Sequence, residues 1–186
     1  MPRKIQVTEK MILDASIELI KQNGLESLST RKIAQYLQCS TQPIYSTYKT
    51  IKDLKVASLI EIRSIMVNDF LTAESDEDKF LQMGLGYIQF AKQETNLFKA
   101  LYASGNLMKL DNETSAKLLN TVKQGDRMNH LENDQLRQIH RKISIFVHGL
   151  AFLIIDNNQL YSDEEIRSLL IESGQAFTHW KSKEVE

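Results

Sequence analysis

Two prolines, seven glycines and one cysteine are all that this 186-residue sequence has of the residues that break, loosen or staple a chain. So few breakers exclude a collagen-like or low-complexity polymer, and no internal repeat is visible. A lone thiol, Cys39, excludes an internal disulfide framework and suits a reducing cytoplasm. No run alternates apolar and polar residues long enough to predict a strand. The most apolar stretch, Ile143 to Ile155, is too short to cross a bilayer and holds His148 and Gly149, so no membrane partner is expected. The opening MPRKIQVTEK is basic, but an amphipathic helix follows it where a signal peptide would have an apolar segment. Nor is there a Gly-rich phosphate loop, a nucleophile elbow or an HExxH pair. The four histidines, His130, His140, His148 and His179, are scattered without metal-ligand spacing. No catalytic residue, metal or cofactor is expected, and an enzyme is not the reading.

What is present is helical periodicity from end to end. The expectation is an all-α chain of about nine helices, with an N-terminal three-helix unit over 1–52 and a helical body over 53–186. Charge divides the same way. Residues 1–55 carry nine Lys/Arg against five acids, a net of +4, whereas the whole chain has a net charge of −1. A basic head on an acidic body suits a polyanion-binding unit joined to one that binds something else.

The first helix is predicted from Thr8, as N-cap, to Asn23, with Ile12, Ala15, Leu19 and Ile20 on one face and Gly24 as its stop. Ser29 then caps a short helix, Thr30–Leu37, that buries Ile33, Ala34 and Leu37. After a tight connection at Gln38–Cys39, Ser40 caps a second short helix, with Ile44, Tyr45 and Tyr48 on its inner side. Two short helices so closely joined, packed on a longer one before them, describe a helix-turn-helix. Further helices are predicted over about Ile51–Thr72, Asp76–Gln93, Thr95–Ser104, Glu113–Lys123, Glu132–Asn157 and Ser162–Lys181. TAESDED breaks the first of these, and Ser162 with Glu165 forms a capping box for the last.

The segment LSTRKIAQYLQCSTQPIYSTY, residues 28–48, resembles the DNA-binding segment of the tetracycline-repressor (TetR) family, with Ile12, Ala15, Leu19 and Gly24 before it and Leu54 after it fitting the same pattern. The resemblance implies a bacterial, cytoplasmic DNA-binding transcription regulator, a repressor that binds a pseudo-palindromic operator as a homodimer and is released by a small-molecule effector. The alternative is a helical dimer of the same family acting through a protein partner or as an activator. The candidate DNA contacts are Ser29, Thr30, Arg31, Ser40, Thr41, Gln42, Pro43, Tyr45, Ser46, Thr47, Tyr48, Lys49 and Lys52. Short polar side chains suit base edges and phosphates, Gln42 suits adenine and Arg31 suits guanine or a phosphate. Pro43 sits in a first turn, where its missing N–H costs little. Relatives carry Gly-Val at Gln38–Cys39, His-Phe at Thr47–Tyr48 and a phosphate-binding Lys at Ile51. Lys52 is the candidate replacement for that Lys, and the operator is not to be borrowed from relatives. Cys39 as a redox sensor would need exposure and a lowered thiolate pKa. Relatives have a small buried apolar residue there, and a free Cys packs well as one.

In the body, Ile143–Ile155 is apolar on two faces, and one of them is assigned to a second subunit. The expected dimer residues are Ile143, Phe146, Val147, Leu150, Ile154, Ile166, Leu170, Gly174 and Phe177, with Trp180 extending the last stripe. Two helices from each subunit would make a four-helix interface and set the reading helices about 34–36 Å apart. Phe146-Val-His-Gly resembles a Trp-x-His-Gly subgroup of the family. The expected effector pocket is lined by Met66, Phe70, Met83, Tyr87, Phe90, Phe98, Tyr102, His148 and Phe152, residues that equally suit plain core.

Overall fold

A computed structural model of the protein describes residues 7–71, 78–103, 131–157 and 161–179, with Asn120 and Lys123. Every regular element among them is helical, as the periodicity predicts, and none is a strand. Helix α1 spans Glu9–Asn23. Thr8 caps it by accepting from the Met11 N–H at 3.2 Å, and Gly24 (φ 77°) ends it by donating to the Ile20 carbonyl at 2.8 Å. A 3-10 turn, Leu25–Ser27, leads to α2, Thr30–Tyr36, capped by Ser29 accepting from Lys32 N–H. Helix α3 spans Gln42–Thr47 and α4 Ile51–Ile65. Ser40 is not the cap of α3: the helix starts two residues later, Thr41 holds the cap position, and no side chain caps it. An unforeseen capping box starts α4, where Thr50 N–H donates to Asp53 at 2.9 Å and Asp53 N–H to the Thr50 hydroxyl at 3.1 Å.

Helix α4 runs into a π-helical turn, Met66–Phe70, with Leu71 N–H reaching back to the Met66 carbonyl at 3.1 Å. Then come α5 (Lys79–Gln93), α6 (Thr95–Ala103), α7 (Asn133–Asp156) and α8 (Asp163–His179). The predicted capping box of α8 is present: Glu165 N–H donates to Ser162 Oγ at 3.2 Å, and Ser162 N–H to Glu165 at 2.7 Å. These bonds from Ser162, backbone first, hold the Glu165 carboxyl below its ordinary value. The expected break at TAESDED before Asp78, the helix at Glu113–Lys123 other than Asn120 and Lys123, Ser104 and Trp180 lie outside the described residues.

The chain divides into two compact units, Met1–Ile65 with Glu94–Leu107, and Met66–Gln93 with Met108–Glu186. In the first, α1 is the hub, packing on α2, α3, α4 and α6. Helix α4 buries Leu54, Ser58 and Ile62, one stripe at four-residue spacing. Helix α6 is tied to the end of α1 by a Lys21–Glu94 ion pair and by Asn96, whose amide donates to the Lys21 carbonyl at 2.8 Å. Residues 53–65 and 94–103, expected in the body, therefore pack with the head. The sequence cut at 52 is moved because the inward stripe of α4 finds its cover there.

In the second unit α5, α7 and α8 pack on one another. Gly86 of α5 lies so close to the π turn that a Cβ there would stand 1.7 Å from the Phe70 carbonyl oxygen. Only glycine permits this approach. The Phe70 ring meets Phe90, one turn further along α5, edge-on at 5.1 Å, a second contact that holds the turn against this helix. Helix α7, at 24 residues, is long and apolar enough to cross a membrane by length and composition alone, a property that core helices also have. Its apolar residues are divided between a stripe packed within the unit and an open face.

Candidate nucleic-acid interface

The head presents α3 outward. Ile44 is fully buried and Tyr48, one helical turn on, is 9% exposed; Gln42, Tyr45, Ser46 and Thr47 are exposed. This follows from spacing, since i and i+4 share a face and the residues between them turn away. Around α3 stand exposed cations, Arg31 and Lys32 on α2, Lys49 before α4 and Lys52 in its first turn. Lys32 is not singled out by the sequence pattern; its exposure beside Arg31 places it on the same rim. Ile51 is half-buried and Lys52 exposed, so the cation at the start of α4 sits one residue later than in the resembling pattern.

The polar side chains differ in what they still have to offer. The Thr30 and Tyr45 hydroxyls are 3.2 Å apart and share a hydrogen bond, joining the start of α2 to α3. Ser46 Oγ donates to the Gln42 carbonyl at 2.9 Å, and Thr47 Oγ1 to the Pro43 carbonyl at 3.1 Å. Ser40 is exposed, and Thr41 and Pro43 are half-buried. Two expected contacts are corrected. Tyr48 is core: it packs beneath the helix, its hydroxyl donates to Glu9 at 3.2 Å, and burial, with the Glu9 charge beside it, pushes its phenol up. Ser29 is half-buried and its oxygen serves as the α2 cap.

The turn between α2 and α3 is made by Gln38 and Cys39. Gln38 adopts φ 52°, a left-handed conformation that glycine takes freely. Cys39 is half-buried, and its N–H donates to the Ala34 carbonyl at 2.9 Å, closing the end of α2.

In the second unit the sequence-predicted pocket residues part company. Phe98 and Tyr102 are not in this unit at all; they stack on each other at 4.4 Å in the first. Met66, Met83 and Phe90 are buried core, and Phe70 is half-buried. Tyr87, His148 and Phe152 do come together: the Tyr87 hydroxyl lies 3.1 Å from His148 Nδ1, and the Phe152 ring meets His148 edge-on at 5.0 Å. Burial raises the Tyr87 phenol far above its ordinary value and lowers both His148 and His140.

Six of the nine expected dimer residues are also corrected. Ile143, Val147, Leu150 and Ile154 of α7, with Ile166 and Leu170 of α8, are each no more than 5% exposed within the chain itself. They are its core; Phe146, Gly174 and Phe177 are half-buried. The other face of α7 is open, with Ile145 55%, Phe152 38% and Leu153 51% exposed and Gly149 between them.

Comparison with known proteins agrees with this architecture. No family profile and no curated protein matches the sequence. Among solved structures, a TetR-family transcriptional regulator from Streptomyces coelicolor superposes with a TM-score of 0.71 at 15% identity, over 95% of this chain and 85% of that one. A TetR variant from Acinetobacter baumannii AYE, in complex with minocycline, gives a TM-score of 0.66 at 13% identity over 95% and 97% of the two chains. The multidrug binding protein EbrR, complexed with imidazole, gives 0.59 at 16% identity over 93% and 96%. The chain has the all-α fold of the TetR-family regulators.

Proposed function

We propose that this protein is a cytoplasmic DNA-binding transcription regulator, a repressor that grips a pseudo-palindromic operator as a homodimer and is released by a small-molecule effector. The observation that carries the reading is the outward face of α3: exposed Gln42, Tyr45, Ser46 and Thr47, backed by a buried Ile44 and rimmed by exposed Arg31, Lys32, Lys49 and Lys52. A short helix with polar side chains outward and exposed cations on the helices before and after it suits a major groove between phosphate backbones. Gln42 meets adenine, Arg31 guanine or phosphate, and the Thr30–Tyr45 pair a phosphate.

The second copy covers the open face of α7, because an apolar strip that large seeks another surface. Gly149 lets the two helices approach closely. Ile145, Phe152 and Leu153, not Ile143 and its neighbours, make the contact. The effector reading draws on the fold and on two ligand-bound structures that share it, one with minocycline and one with imidazole. In this chain it centres on Tyr87 and His148. An effector that favours one pose of the body shifts the population of DNA-competent heads.

Binding of the purified protein to duplex DNA from upstream of its own gene, against unrelated duplex of equal length, tests the reading. Specific, salt-sensitive binding is expected. Equal affinity for both duplexes would overturn it.

A further inference from the structure

We propose that Ser46 is a specificity-determining residue of α3, accepting a hydrogen bond from an exocyclic amino group, adenine N6 or cytosine N4, in the major groove. The inference rests on the DNA-reading function above and names what one position of the operator must offer.

Position comes first. Ile44 marks the buried line of α3. At the helical turn angle, Gln42 and Ser46 each lie roughly 160° round from it, Tyr45 and Pro43 roughly 100°, and Thr47 only roughly 60°. Gln42 and Ser46 thus form the outermost ridge, the part that enters a groove deepest, and both are exposed.

Hydrogen bonding then fixes the chemistry. A serine hydroxyl has one proton to give and lone pairs to offer. Ser46 gives its proton to the Gln42 carbonyl at 2.9 Å, one turn back in its own helix. What it presents outward is an acceptor. Phosphate oxygens, guanine O6 and N7 and thymine O4 are acceptors too, whereas adenine and cytosine present amino donors in the major groove. Gln42, by contrast, carries both a donor and an acceptor and suits the two-point edge of adenine. Four residues of helix advance by about 6 Å and a base pair by about 3.4 Å, so the base met by Ser46 lies one or two steps from the base met by Gln42. Ser168, exposed on α8 with its hydroxyl donating to Glu172 at 2.9 Å, also spends its proton within its helix and, lying outside the head, serves as the control.

The test is selection of binding sites from a random duplex pool by wild type, Ser46→Ala and Ser168→Ala, followed by affinities on the selected site. For wild type, one position per half-site is restricted to adenine or cytosine on one strand, and replacing that base weakens binding about five-fold. Ser46→Ala loses that restriction and no other, with the salt dependence unchanged. Ser168→Ala keeps the whole pattern. Retention of the restriction by Ser46→Ala overturns the proposal, as does a lost position that prefers guanine or thymine. Failure of wild type to enrich any sequence overturns the DNA-reading function, and the role of Ser46 with it.

Discussion

The outward faces of α3 and α7 are opposites built on the same periodicity. Each helix buries one stripe, Ile44 and Tyr48 in the first case and Ile143, Val147, Leu150 and Ile154 in the second. The remainder of α3 is short, polar and flanked by cations, whereas that of α7 includes Ile145, Phe152 and Leu153, between 38% and 55% exposed. A helix face that is polar when it need not be buried can stay in water and meet a hydrated, charged partner. An apolar face left open is a surface awaiting another apolar surface. On the function proposed above, the first face meets a polyanion and the second another copy of the chain.

The supports of the two units differ as well, and the largest expected effect lies there. Gly86→Ala puts a Cβ against the Phe70 carbonyl, so α5 or the π turn must shift, and the second unit loses about 3 kcal/mol of stability in urea unfolding. An unchanged midpoint would show that the approach of the two backbones is not required. The open face of α7 is broken next. Leu153→Glu sets a charge in the proposed contact, and sedimentation should show the dimer dissociation constant rising about thirtyfold, some 2 kcal/mol, with the helical signal unchanged. A monomeric wild type would remove the partner assigned to that face.

Acid sharpens the same division. Burial holds His140 and His148 of α7 below their ordinary value, so between that lowered value and about 6.5 the unfolded chain binds more protons than the folded one. Their contribution is present above the unfolded value and lost as pH falls below it. Melting temperature should drop between pH 7 and pH 5 more steeply in wild type than in His140→Gln/His148→Gln; parallel curves would contradict this. The smallest effect belongs to the head. Gln38→Gly relieves the left-handed residue at φ 52° and stabilises the first unit by up to about 1 kcal/mol, read from its thermal midpoint.

What was legible in the sequence was mostly local. Thr8, Ser29 and the Ser162–Glu165 box announce helix starts because a cap is a short-range hydrogen bond, and Gly24 announces a stop for the same reason. The start of α3 was misread by one residue because Ser40 and Thr41 are both cap-competent, and the helix begins without a side-chain cap. Tyr48 was legible as core from its spacing to Ile44, yet the resemblance placed it among the DNA contacts; spacing prevailed. The face of α7 was beyond periodicity, which finds two apolar stripes and cannot say which one the chain covers for itself. The residues expected to line a pocket were grouped by residue type and helical spacing, which suit core and pocket wall alike. Phe98 and Tyr102 pack with the head, and no pattern in the sequence shows that α6 is tied to α1 through Lys21, Glu94 and Asn96. Gly86 was equally hidden, since its need for glycine comes from a carbonyl sixteen positions earlier in the chain.

The central claim is that α3 and its cationic rim read duplex DNA. Fluorescence anisotropy on the selected operator, over a range of salt concentrations, tests it most directly with wild type, Gln42→Ala, Arg31→Ala and Lys52→Ala. The account predicts that log affinity falls linearly with log salt. Lys52→Ala should reduce that slope by about one at every sequence, and Gln42→Ala should relax preference at one base pair by tenfold or more. Arg31→Ala does one or the other according to whether it meets guanine or phosphate. Affinities that ignore both salt and these substitutions would contradict it.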